Sequence, residues 1–89
     1  MEKVRIQIIN KLGLHARAAS RLSSSCAKFA SKITVTKDGK TVDGKSIMAL
    51  MLLAAPMGTP LEITCAGADE QQALKAIVEL INNRFDEAE

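Results

Sequence analysis

The sequence predicts an α+β fold, a four-stranded antiparallel sheet with three helices on one of its faces. Three observations point to it. Short segments alternate apolar and polar residues, the two-residue period of a strand with one buried face. Two longer segments repeat apolar residues at helical spacing, and a shorter apolar one follows a serine suited to capping. The order is β-α-β-β-α-β-α, and the two long helices need a common apolar surface, which one face of the sheet supplies. With 89 residues, 47% of them hydrophobic, residues 1–89 are expected to form one small domain around one core, with no linker.

The elements follow in chain order. Val4, Ile6 and Ile8 alternate with Arg5, Gln7 and Ile9, giving the first strand. Asn10 to Gly13 reads as a loop. The first helix is expected from about Ala16 to Ala30, with Ala19, Leu22, Cys26 and Phe29 or Ala30 on one face and Arg17, Arg21 and Lys28 on a solvated one. Ile33 and Val35, flanked by Lys32, Thr34 and Thr36, form the second strand. Lys37-Asp38-Gly39-Lys40 carries a hairpin signal, and Thr41-Val42 make a short third strand. Ser46 is suited to cap a short helix from Ile47 to about Leu53. Leu61, Ile63 and Cys65 alternate with Glu62 and Thr64 as the fourth strand. Asp69 with Gln72 resembles a capping box opening the third helix, whose apolar face is Ala73, Leu74, Ile77, Leu80, Ile81 and Phe85.

Composition narrows the function. There are two Phe and no Trp or Tyr, so nucleic-acid modules that stack bases on aromatic side chains are excluded. The net charge is +2, but Asp86, Glu87 and Glu89 crowd the C-terminal end, leaving 12 basic against 7 acidic residues before them. Such a body suits an acidic protein partner or a phosphate. Cys26 and Cys65 lie in apolar-periodic segments and read as reduced, buried thiols. One His and two distant Cys give no ligand pattern, so no metal or other cofactor is expected. No signal peptide is read before the first strand, and the apolar run 47–57 is too short to span a bilayer and holds Pro56. A cytoplasmic location is expected, with no membrane insertion.

The chemistry concentrates in Gly13-Leu14-His15-Ala16-Arg17, which holds the only histidine. His15 falls at a strand-to-helix junction, where the first free N–H groups of the helix, those of Ala16, Arg17 and Ala18, and the helix dipole favour an anion. A lone histidine is usually structural; its place before a helix and the flanking Gly13 and Arg17 weigh against that reading, which a family resemblance then reverses. Arg17 is a cation placed against the dipole, which makes sense if an anion visits. An imidazole nucleophile beside an anion cradle can take up a phosphoryl group and hold it briefly.

Lys11-Leu12-Gly13-Leu14-His15-Ala16-Arg17 resembles the active-site signature of the HPr family, histidine-containing phosphocarriers of the bacterial sugar phosphotransferase system. Gly44-Lys45-Ser46-Ile47-Met48 resembles that family's regulatory serine segment. The resemblance implies the same open-faced β-sandwich and a carrier, not an enzyme with a small-molecule reaction of its own. It implies His15 as the phosphorylated residue, acting through Nδ1, with Arg17 and the helix amides stabilising the phosphate. It implies enzyme I as donor, enzyme II A domains as acceptors, and Ser46 as the target of an HPr kinase/phosphorylase where one exists. The docking surface is expected to include Arg21, Lys28, Lys45, Ile47, Met48 and Met51, on a monomer. Most family members have proline after the arginine; here it is Ala18, which leaves a further N–H donor. A regulatory, nitrogen-type branch in a signalling phosphorelay stays open beside sugar transport.

Two other classes compete. Residues 39–46 fit the P-loop pattern G-x-x-x-x-G-K-[ST] in full. Against it, Thr41-Val42 read as strand, Asp43 would put an anion in the cradle, and the chain is too short for a nucleotide-binding sheet. A pure interaction module would tolerate replacement of His15.

Overall fold

A computed structural model describes all 89 residues. Strands β1 (Glu2–Gln7), β2 (Lys32–Lys37), β3 (Lys40–Asp43) and β4 (Pro60–Ala66) form one sheet in the order β1-β4-β2-β3, and every neighbouring pair is antiparallel. Helices α1 (Ala16–Ala27), α2 (Ile47–Leu53) and α3 (Glu70–Asn82) cover one face. A short left-handed turn follows at Arg84–Asp86, closed by bonds from the N–H groups of Asp86 and Glu87 to the carbonyls of Asn83 and Arg84. The expected fold class and element order are thus the observed ones.

Alternation sets the two faces. Val35 lies opposite Val42 on β3 and opposite Ile63 on β4, and Ile63 is fully buried with Leu61 and Cys65. The helices close over this surface with Leu22 and Cys26 of α1, Leu50 and Leu53 of α2, and Ala73, Ile77 and Ile81 of α3. Both cysteines are free and buried. Burial, the main cause, pushes the Cys26 thiol up to about 12 and raises that of Cys65.

Strand β1 ends at Gln7, before Ile8 and Ile9, and three features of the helices also differ from the sequence reading. Helix α1 ends at Ala27, not Ala30. Lys28 and Phe29 close a tight turn onto Ser25 and Cys26, and the Asp69 carboxylate then accepts from the N–H groups of Ala30 and Ser31 at 2.8 and 2.9 Å. A charged acceptor draws the chain out of the helix and into β2. Asp69 occupies the N-cap position of α3 as expected, but its carboxylate is spent on another segment and makes no cap bond. Glu70 takes the role of reaching back, accepting from the Gly67 N–H at 3.1 Å and pairing with the N-terminal amine at 2.7 Å. Phe85 is fully buried as expected, but α3 stops at Asn82, and Phe85 enters the core from a turn.

Residues 40–43 pair with β2 as a hairpin arm, so the stretch matching the P-loop pattern does not wrap a phosphate. Ser46 caps α2, its hydroxyl accepting from the Ala49 N–H at 3.2 Å. At the other end of α2, Lys37 Nζ donates to the carbonyls of Leu53 and Ala54, where a cation suits the dipole. No helix is long and apolar enough to cross a membrane.

Candidate functional site

The loop between β1 and α1 is fixed by contacts that only its own residues permit. Gly13 has φ +69, and a Cβ there would sit 2.5 Å from the Ala55 carbonyl oxygen and 2.8 Å from Pro56 Cα. Glycine alone allows both the left-handed turn and this approach. The Leu14 N–H then donates to that same Ala55 oxygen at 2.8 Å, tying the loop to the end of α2. The fully buried Asn10 donates to the Gly13 carbonyl at 2.8 Å, and His15 N–H donates to it at 3.0 Å.

His15 is the N-cap residue of α1, with extended backbone (φ −83, ψ −177) and no side-chain cap bond. Its carbonyl accepts from Ala19 N–H at 2.8 Å. The amides of Ala16, Arg17 and Ala18 have no hydrogen-bond partner, the state expected of a first helical turn. Ala16 and Arg17 are exposed, but Ala18 is buried. The additional donor left by alanine at position 18 therefore does not face solvent, and two amides, not three, are open to an anion. The Arg17 side chain is exposed and has no ion-pair partner.

The C-terminal segment completes the site, and the sequence reading missed it. After α3, Arg84, Phe85 and Asp86 all take left-handed φ (56, 53 and 62). Phe85 is buried and its carbonyl accepts from Arg21, so the chain turns back over α1. Glu87 lands beside His15. One carboxylate oxygen accepts from Asn10 Nδ2 at 2.9 Å; the other pairs with His15 Nε2. The Glu87 side chain is 13% exposed and that of His15 28%. Burial pushes the Glu87 carboxyl up, but the bonds from Asn10 and His15 outweigh it and hold it below its ordinary value. Lys11 adds two contacts to Glu89, from its backbone N–H at 2.6 Å and its ammonium at 3.4 Å. The result is a shallow hollow lined by Lys11, His15, Arg17, Arg21, Glu87 and Glu89.

Of the other predicted positions, Arg21 alone lines this hollow. Arg21 is half-buried and engaged with the Phe85 carbonyl; Lys45 Nζ donates to the Phe29 carbonyl at 2.8 Å; Lys28 is exposed. On α2, Ile47, Met48 and Met51 are exposed, Met48 by 66%, and Leu52 extends the apolar patch. No three His, Cys, Asp or Glu side chains come together in a way that could hold a metal ion.

A histidine at a helix N-terminus, with free amides and an unpaired arginine beside it on an open-faced sandwich, defines a site of the phosphoryl-carrying class. Comparison with known proteins agrees. Residues 2–83 match the family described as "PTS HPr component phosphorylation site". The phosphocarrier protein HPr of Neisseria meningitidis is 51% identical over 89 residues, and that of Pseudomonas aeruginosa 51% over 90, each match covering the whole of both chains. The crystal structure of HPr from Thermoanaerobacter tengcongensis superimposes with a TM-score of 0.96 at 44% identity, again over the whole of both chains. The chain belongs to the HPr family, the phosphocarriers of the phosphotransferase system.

Proposed function

We propose that His15 Nδ1 accepts a phosphoryl group from phosphorylated enzyme I and delivers it to enzyme II A domains. One observation carries the assignment to that nitrogen. An ionised carboxylate has no proton to give, so in the His15–Glu87 pair the hydrogen belongs to Nε2. A neutral imidazole has one N–H, so the lone pair is on Nδ1. That lone pair forms the N–P bond as the bond from phosphorus to the donor breaks; no water enters. The Ala16 and Arg17 amides and the Arg17 guanidinium balance the charge on the phosphoryl oxygens.

Ile47, Met48 and Met51 with Lys28 and Lys45 form the docking face, apolar at its centre and basic at its edge. Arg21, already engaged with Phe85, holds the tail. Ser46 is the regulatory position. Its phosphate would put negative charge at the start of α2, on the surface that partners dock against.

The test is transfer itself. Incubation with enzyme I and phosphoenolpyruvate should add one acid-labile phosphate to the wild type and none to His15→Ala, read by mass. Absence of an adduct on the wild type, with a known HPr labelled in the same tube, would overturn sugar-system transfer; labelling by a regulatory paralogue of enzyme I would then assign the nitrogen-type branch.

A further inference from the structure

We infer that Glu87 is a positioning residue for the transfer reaction, an inference that rests on the phosphocarrier reading. It keeps the proton on His15 Nε2 both before and after the phosphoryl group arrives. The geometry is that of a carboxylate-oriented imidazole. Asn10 is fully buried and spends one amide hydrogen on the Gly13 carbonyl and the other on Glu87 Oε1. Its orientation is fixed, since the reversed amide would set its oxygen against two acceptors. Glu87 Oε1 is thereby held, and Oε2 is left to face Nε2.

The consequence before transfer is orientation, with Nδ1 unprotonated. The consequence after transfer is electronic. When Nδ1 forms its bond to phosphorus and Nε2 keeps its hydrogen, the ring becomes an imidazolium carrying one positive charge. The Glu87 carboxylate balances that charge at the atom that bears the hydrogen. A cationic ring is the better leaving group. In delivery the N–P bond breaks, the electron pair returns to Nδ1, and the neutral Nε2–H ring is restored without a proton gained or lost. Without Glu87, the phosphorylated ring loses its Nε2 hydrogen more readily to solvent, and the resulting neutral phosphoimidazole holds its phosphate more firmly.

The tail that delivers Glu87 is braced independently of it. Phe85 is anchored in the core, Arg21 holds the Phe85 carbonyl, and Glu89 pairs with Lys11. Substitution of Glu87 alone therefore tests the carboxylate and not the fold. Glu87→Gln keeps the shape but has one acceptor oxygen for two donors, and Glu87→Ala removes both.

Because His15 is the sole histidine, its ring nitrogens give unambiguous ¹⁵N signals. The wild type should show Nε2 protonated and Nδ1 bare. Both variants should lose that fixed arrangement, accept phosphate from enzyme I about 10- to 100-fold more slowly, the range for loss of a hydrogen bond to a charged group, and retain the adduct longer at neutral pH. Variants matching the wild type in tautomer, acceptance rate and adduct lifetime would overturn the role of Glu87 and leave the carrier reading intact. A wild type that takes no phosphate at all fails the earlier test instead.

Discussion

Replacing Gly13 by alanine isolates what holds the His15 loop in place. The new Cβ would lie 2.5 Å from the Ala55 oxygen, where a carbon–oxygen contact is comfortable only near 3.3 Å. Both offending neighbours, Ala55 O and Pro56 Cα, are backbone, so neither can rotate aside. A left-handed φ costs a non-glycine residue about 1–2 kcal/mol, and overpacking adds about 1–3 kcal/mol. Gly39→Ala is the control: its φ is +81, but nothing lies within 4 Å of its Cβ, so it should lose the conformational cost alone. With a urea dependence of about 1 kcal/mol/M for so small a protein, Gly39→Ala should lower the unfolding midpoint by about 1–2 M and Gly13→Ala by about 2–5 M. Gly13→Ala should also slow phosphoryl acceptance, since its carbonyl anchors both Asn10 and the His15 N–H, whereas Gly39→Ala should not. Equal shifts in the two midpoints would refute the argument that close backbone approach fixes the loop.

Three further outcomes follow from the same geometry. Ser46→Ala removes the cap on Ala49 N–H and should cost about 1 kcal/mol in denaturant unfolding, with phosphoryl acceptance at His15 retained. Bonds from the Ser31 hydroxyl and the Ala30 and Ser31 amides hold the Asp69 carboxyl below its ordinary value of 3.8. A depressed carboxyl stabilises the fold above that value and loses the contribution as pH falls through its own, so wild type should weaken in acid below about pH 4 more steeply than Asp69→Asn in urea titrations across pH 6 to 2. Burial pushes the Cys26 thiol up to about 12 and raises that of Cys65, so both should resist iodoacetamide in the native protein at pH 8 and react fully in denaturant.

Most of the fold was legible because its signals are local. Alternation in residues 4–8, 33–35 and 61–65 marks the strands, and the His15 site announces itself by a glycine, a histidine and an arginine at a change of period. What the sequence concealed depends on distant partners. Ala27 and Ala30 are good helix formers with no stop signal, and α1 ends there because Asp69, far along the chain, takes the amides of residues 30 and 31. The same diversion defeated the capping box. The tail was hardest: three consecutive left-handed residues, none of them glycine, have no signature in sequence. The acidic cluster at residues 86–89 in an otherwise basic chain was the one available hint that Glu87 had a cationic or hydrogen-bonding destination.

The strand order also dictates how the chain must assemble. The β2–β3 hairpin closes locally, with Lys37 facing Lys40, but β1 has no neighbour except β4, and Glu2 waits for Cys65. Closing so long a loop costs more entropy than closing the hairpin, and the earliest strand of the chain depends on the last strand for its only pairing. The His15 loop shares this dependence on distant chain, because Gly13 and Leu14 are shaped by Ala55, just ahead of β4.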